Sequence, residues 1–160
     1  MTMKQPNLLK ILSETQFADG LPNKHLQSIC RAARLLRVPA GQRLFQEGAV
    51  EDEIFVISTG CVRLTMNVPG RGEVPFLTAG PGDLIGWSCV IGEGRMTATA
   101  VSTEDSNLIA LSGSRLRELC YGDADLGFEL MKRIAQVLSQ RLLSTRLQLL
   151  DLFGDAEASS

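Results

Sequence analysis

Chains that do acid–base, nucleophilic or metal chemistry carry histidines, paired carboxylates or clustered cysteines, and this chain has few of them. Its one histidine, His25, sits in a helical pattern with no nucleophile or carboxylate partner identifiable from spacing. The four cysteines, Cys30, Cys61, Cys89 and Cys120, are too widely spaced to form a local metal-ligand pair. With no secretion signal ahead of them they read as reduced thiols acting as small apolar side chains, not as a disulfide framework. Cys89 alone has a second reading. A thiol with a lowered pKa there would give it a redox-sensing role beside the structural one. No G-x-S-x-G or H-E-x-x-H motif occurs, and Gly80-Pro81-Gly82-Asp83-Leu84-Ile85-Gly86 lacks the Lys-Ser/Thr of a P-loop. No catalytic residue is identified, and the chain is not expected to be an enzyme.

The elements that must position any site fall into three zones. Residues 4–34 read as helices: Leu8, Leu9, Ile11 and Leu12 share a face, and Leu26, Ile29, Cys30 and Ala33 recur at three- and four-residue steps. The helical character extends to about residue 37, until Pro39 and Gly41 end it. Residues 38–112 are punctuated by glycines, with short β-type runs at 43–46, 53–58, 61–68, 74–77, 97–102 and 107–111. Short strands between regular turn signals, with no intervening long helix, suggest a sandwich or barrel-like roll and argue against a Rossmann sheet. Residues 114–153 return to helix, a short one to Tyr121 and a long one from Asp123 or Asp125, with Gly154 as a stop and 154–160 as a flexible tail. The fold class is α+β, mainly β, in one domain over residues 1–153. A cupin-like metal site on such a roll would need His and carboxylate ligands, and the only histidine lies outside the roll, so no metal is expected.

Composition agrees with an ordinary globular protein. Of 160 residues, 44 % are hydrophobic and 21 % charged; sixteen Lys+Arg face eighteen Asp+Glu, a formal charge of −2. That balance gives no net basic field for nucleic acid or anionic lipid. No apolar run reaches the roughly 20 residues that span a bilayer, and the N-terminus lacks a signal-peptide layout, so a cytoplasmic location is expected.

Three phrases carry a resemblance. They are Val38-Pro39-Ala40-Gly41-Gln42-Arg43-Leu44-Phe45-Gln46-Glu47-Gly48, Asp52-Glu53-Ile54-Phe55-Val56-Ile57-Ser58-Thr59-Gly60-Cys61-Val62, and Gly80-Pro81-Gly82-Asp83-Leu84-Ile85-Gly86. Together, over about residues 25–150, they resemble the cyclic-nucleotide-binding domain of catabolite-activator and fumarate–nitrate-regulator proteins. The resemblance implies N-terminal helices, a β-roll, a short phosphate-binding-cassette helix at about 87–91 and a long C-terminal helix. It also implies a cassette built from Gly86, Trp87, Ser88, Cys89, Arg95, Met96 and Thr97.

The cassette departs from the family pattern. The family's glutamate, which accepts from the ribose hydroxyl, falls at Trp87, an N–H donor that cannot accept. The family's phosphate-binding arginine falls at Met96 when the strand Thr97-Ala98-Thr99 anchors the comparison, with Arg95 one residue early. On a strand, that single step selects the opposite face. Three readings follow: a degenerate pocket, a pocket retuned for another small ligand, or cAMP or cGMP bound through altered contacts. Haem is not expected, since His25 lies in the leading helices.

The long helix carries a stripe of Leu126, Leu130, Ile134, Val137, Arg141, Thr145 and Leu149, widened by Met131, Leu138, Leu142 and Leu152. Its last turns are apolar on more than one side. This predicts a homodimer through Leu138, Leu142, Thr145 and Leu149, unless the N-terminal helices cover the extra face. The sequence ends at Ser160, with no room for the helix-turn-helix that relatives carry, so direct DNA binding is not expected. The function implied is a stand-alone sensor or regulatory domain, signalling through the long helix to itself or a protein partner. The alternatives are a ligand-free dimerisation or interaction module and a true cAMP- or cGMP-binding regulator.

Overall fold

The computed structural model describes residues 5–158; the expected helical start at Lys4 and the tail residues 159–160 lie outside the described residues. The chain opens with α1 (Gln5–Ser13), a single 3-10 turn (Gln16–Ala18) and α2 (Asn23–Cys30). The strands are β1 (Ala33–Val38), β2 (Arg43–Phe45), β3 (Glu53–Thr59), β4 (Val62–Val68), β5 (Gly72–Ala79) and β6 (Leu84–Ile85), then β7 (Thr99–Ser102) and β8 (Ser106–Ser112). Helix α3 (Ser88–Ile91) separates β6 from β7, and α4 (Gly113–Gly122) and α5 (Ala124–Ala158) follow the roll.

The strands form two antiparallel four-stranded sheets, ordered β1-β8-β3-β6 and β2-β7-β4-β5. The first is covered on its outer side: α1 and α2 meet β1, α3 meets β3, and α4 meets β8. This explains the continuous apolar runs of its two central strands. Ile54, Phe55, Val56 and Ile57 are all buried, as are Leu108, Ile109, Ala110 and Leu111, because both faces lie under protein. In the second sheet β5 is an edge strand with a mostly exposed pattern, and it tolerates Pro75.

The mainly-β class with flanking helices and a long C-terminal helix is as the sequence implied; three boundaries differ. The helical zone ends at Cys30, not near residue 37: residues 33–38 form β1, because they complete the antiparallel ladder with β8 from Ala33–Leu111 to Val38–Ser106. Their periodicity is short enough to suit helix or strand, and the partner strand decides. The two residues of β6 are too few to leave a pattern. Helix α5 runs through Gly154 to Ala158, so the expected stop and flexible tail from 154 are corrected. An exposed glycine costs a helix only about 1 kcal/mol against alanine and does not end it.

Gly60, in the β3–β4 turn, has φ +100°, and a Cβ there would lie 2.1 Å from the Ser106 Oγ. That hydroxyl accepts from the Cys61 amide and donates to the Glu104 carbonyl, so it cannot move away freely. Gly60→Ala is expected to cost about 2–4 kcal/mol through left-handed strain and overpacking. The check is the urea midpoint, which falls if this approach is as tight as described and is unmoved if the turn relaxes.

Candidate ligand-binding site

Strand β6 delivers the chain to Gly86, whose φ of +82° turns it off the sheet. A Cβ at Gly86 would press on the Glu53 carbonyl at 3.1 Å and the Phe45 ring at 3.4 Å, so the turn and its packing both require glycine. Trp87 follows as the residue before α3, with no side-chain cap. The Gly92 and Gly94 amides both donate to the Ser88 carbonyl at 3.0 Å, folding the loop back over α3.

The next segment is laced to residues 48–51. The Glu51 amide donates to the Gly94 carbonyl, the Met96 amide to Ala49 and the Gly48 amide to Met96, with an isolated bridge pairing Val50 and Arg95. In extended backbone successive side chains point to opposite faces. Arg95 therefore points outward, where its guanidinium donates to the Gly48 carbonyl at 2.7 Å. Met96 points inward and is 2 % exposed.

Met96 faces a cavity of about 260 Å³ between the sheets, α3 and α5. Phe45, Leu64, Met66, Phe76, Leu77 and Ile85 supply its sheet-side wall, with Trp87 and Ala98. Gly86, Ser88 and Thr97 border it, and Arg141, Ser144, Thr145 and Gln148 reach it from α5. Among the described residues lining it none is acidic, and Arg141 is the one basic side chain.

Arg141 is half-buried. One terminal nitrogen donates to the Leu84 carbonyl at 2.9 Å, and the guanidinium carbon lies 5.3 Å from the centre of the Trp87 ring. Burial pulls its pKa below the usual arginine range, and the nearby Asp83 carboxylate opposes the shift.

The structure thus brings Gly86, Trp87, Ser88, Met96 and Thr97 to one cavity and leaves out two expected residues. Arg95 is turned away by the ladder just described. Cys89 is 1 % exposed and packs in the core, with its thiol donating to the Gly86 carbonyl at 3.4 Å. Its pKa is pushed up to about 11, by burial first and then by the Asp52 charge. The lowered thiol pKa expected at this helix start is overturned, because loss of hydration outweighs what a four-residue helix offers. Of the four residues expected at a dimer interface, Leu138 packs against the domain's own core and Thr145 faces the cavity, which leaves Leu142 and Leu149 exposed. Sequence reasoning missed the role of Arg141, although the signal was present: a cation interrupts the apolar stripe after Val137. His25 is buried in α2, 3.9 Å from Asp123, and does not line the cavity.

Residues 35–123 match the sequence profile of the cyclic nucleotide-binding domain. The chain belongs to that family. It is 34 % identical over 73 residues to the cyclic AMP receptor protein of Thermus thermophilus, covering 46 % of this chain and 34 % of that protein. It is 22 % identical over 143 residues to a CRP-like cAMP-activated global transcriptional regulator of Mycobacterium tuberculosis, covering 89 % and 62 %. The chain therefore spans less than two thirds of the curated relatives it matches. Among solved structures, a cyclic nucleotide-binding domain from Methylobacillus flagellatus aligns with TM-score 0.77 at 24 % identity, over 91 % of this chain and 82 % of that one. The Thermus thermophilus catabolite activator protein aligns with TM-score 0.69 at 27 % identity, over 86 % and 62 %.

A buried, protonated Cys89 is expected to resist iodoacetamide at neutral pH in the native protein and to react fully in denaturant. Peptide mapping by mass spectrometry reads this directly, and rapid native labelling at Cys89 would contradict the packing.

Proposed function

We propose that this domain is a non-enzymatic regulatory sensor of the cyclic-nucleotide-binding type whose pocket is retuned away from cyclic nucleotides and reports to α5. The observation that carries this reading is the exchange of polar contacts in the cavity. Met96 occupies the place where the family pattern puts the phosphate arginine, and Arg95 is committed to the Gly48 carbonyl on the outer face. Trp87 stands where the pattern puts the ribose-accepting glutamate. The cavity's cation comes instead from α5, as Arg141. Each lost contact to a charged group is worth about 1.5–3 kcal/mol, so the two together weaken a cyclic nucleotide roughly a hundredfold or more. The relatives named for cAMP are matched over the fold, and at these two positions this pocket departs from the family pattern.

Output runs through α5. Its first half is anchored by buried Leu126, Leu130 and Ile134, while Leu142, Leu143, Leu147, Leu149, Leu150, Leu152 and Phe153 are all about half exposed or more. Among the described residues the N-terminal helices leave this face open, and a second copy of α5 covers it most simply, giving a homodimer. We take the domain as a cytoplasmic regulator acting through that dimer or a protein partner. Its formal charge of −2 gives no net basic field for DNA.

Trp87 is the only tryptophan, so its emission reports on the cavity. Titration with cAMP and cGMP to millimolar concentration is expected to give neither a saturable emission change nor calorimetric heat. A saturable response by both methods overturns the retuned pocket in favour of a true cyclic-nucleotide regulator.

The dimer is tested separately by sedimentation. The protein is expected to be dimeric at micromolar concentration, and Leu142→Asp with Leu149→Asp is expected to make it monomeric without loss of fold, since both side chains are exposed. A monomeric wild-type protein sinks the dimer.

A further inference from the structure

We infer that the cavity takes a compact amphipathic monoanion, a carboxylate on an apolar body, with its head on Arg141 and its body against the sheet wall. This rests on the reading of the pocket as retuned, and it names the class of ligand.

The cavity has two chemically different walls. On α5, Arg141, Ser144, Thr145 and Gln148 follow the i, i+3, i+4, i+7 spacing of a single helix face, and all four line the space. That wall is polar throughout. The sheet wall opposite is apolar. A ligand that is polar all round would strand its hydrogen-bonding groups on the sheet side, at the cost of desolvation without partners. A ligand that is apolar all round would leave a half-buried guanidinium facing hydrocarbon. Only a molecule with one polar end satisfies both walls.

The sign and number of its charges follow from the same residues. Among the described residues no carboxylate lines the cavity, so an ammonium head finds only neutral acceptors there and faces the like charge of Arg141. Arg141 is the one cation lining the cavity and already has the Asp83 carboxylate nearby, so it supports at most one added negative charge, and a second would be buried unpaired. Arg141 is also partly engaged in a useful way. The Leu84 carbonyl holds one terminal nitrogen and the Trp87 ring steadies the plane, so the guanidinium is oriented with donors to spare. A planar carboxylate is the group that such a fork binds through two parallel hydrogen bonds.

The test uses three probes with one body: 4-phenylbutyrate, 4-phenylbutan-1-ol and 4-phenylbutylamine. Trp87 emission and calorimetry are expected to show saturable binding of the carboxylate, with the alcohol and the amine weaker by roughly tenfold to a hundredfold, the range of a charge-assisted contact. In Arg141→Gln the acid is expected to lose its advantage over the alcohol, while Arg141→Lys keeps part of it. Equal binding of acid and alcohol by the wild-type protein overturns the inference, as does a preference that survives Arg141→Gln. If circular dichroism shows that the glutamine variant is unfolded, the wild-type series decides alone. Failure of all three probes overturns the inference while leaving a nucleotide-free pocket intact. Saturable cAMP binding overturns the underlying reading itself, so the two failures are distinct.

Discussion

A guanidinium held partly out of water must be given partners, and in this domain the partners of Arg141 tie three separate parts of the chain together. The Leu84 carbonyl belongs to β6, the Trp87 ring opens α3, and Arg141 itself is more than four turns into α5. The hydrogen bond and the cation–ring contact together contribute on the order of 1–3 kcal/mol. That is small beside the core but large for a single point of attachment. The energy is also local. It acts near the point where α5 passes from its buried anchor at Leu126, Leu130 and Ile134 to its exposed half.

The cavity beside this contact follows from how the strands are built. Sheet β1-β8-β3-β6 lies under the helices with its central strands buried on both faces, and it meets the cavity only through Ile85 of β6. The other sheet meets the cavity through Phe45, Leu64, Met66, Phe76 and Leu77, and its outer edge is β5, a strand that packs against little else. The segment after α3 then closes the space by a choice between two neighbouring side chains. Backbone bonds to residues 48–51 set its register, and that register sends Met96 in and Arg95 out. A one-residue slip would have put a cation in the cavity and left the Gly48 carbonyl without its donor. The pocket's chemistry is therefore set as much by the ladder outside it as by the residues lining it.

The sequence carried the fold well where local signals and tertiary packing agree. The glycine-spaced strands of the roll, the cassette turn at Gly86 and the apolar anchor of α5 at Leu126, Leu130 and Ile134 were all legible. It misled where a partner distant in the chain decides. Residues 33–38 are a strand because β8 lies beside them, and β6 exists because β3 holds two residues in line. The site shows the same division. Trp87 and Met96 were visible as departures from the family pattern. Whether Met96 or Arg95 faced inward was not, because the deciding hydrogen bonds come from a loop some forty residues earlier. For Cys89 the reading as a small buried apolar side chain was the right one of the two, because a helix start lowers a thiol pKa only while the thiol stays hydrated, and this one is buried. Thr145 and Arg141 were placed on the right helix, but helical spacing alone does not say which face meets a cavity and which meets another molecule.

The division of α5 gives that helix its mechanical character. Up to Ile134 it is bolted to the core by fully buried leucine and isoleucine side chains, and from Leu142 onward its large apolar side chains are mostly open. Arg141 sits at the boundary, held by two contacts that a ligand head group can compete with or reinforce. On the proposed reading, an anion on the guanidinium would change the balance between the Leu84 carbonyl, the Trp87 ring and the ligand, and a shift there would move the exposed half of the helix as a lever. A ligand that engages Arg141 identically in both positions of the lever shifts nothing, however tightly it binds. Signalling therefore requires that the guanidinium bind its anion better in one orientation of α5 than in the other. On the proposed reading the single cation would have two roles in one place: it would select the charge of the ligand, and it would be the point through which occupancy is converted into the direction of α5.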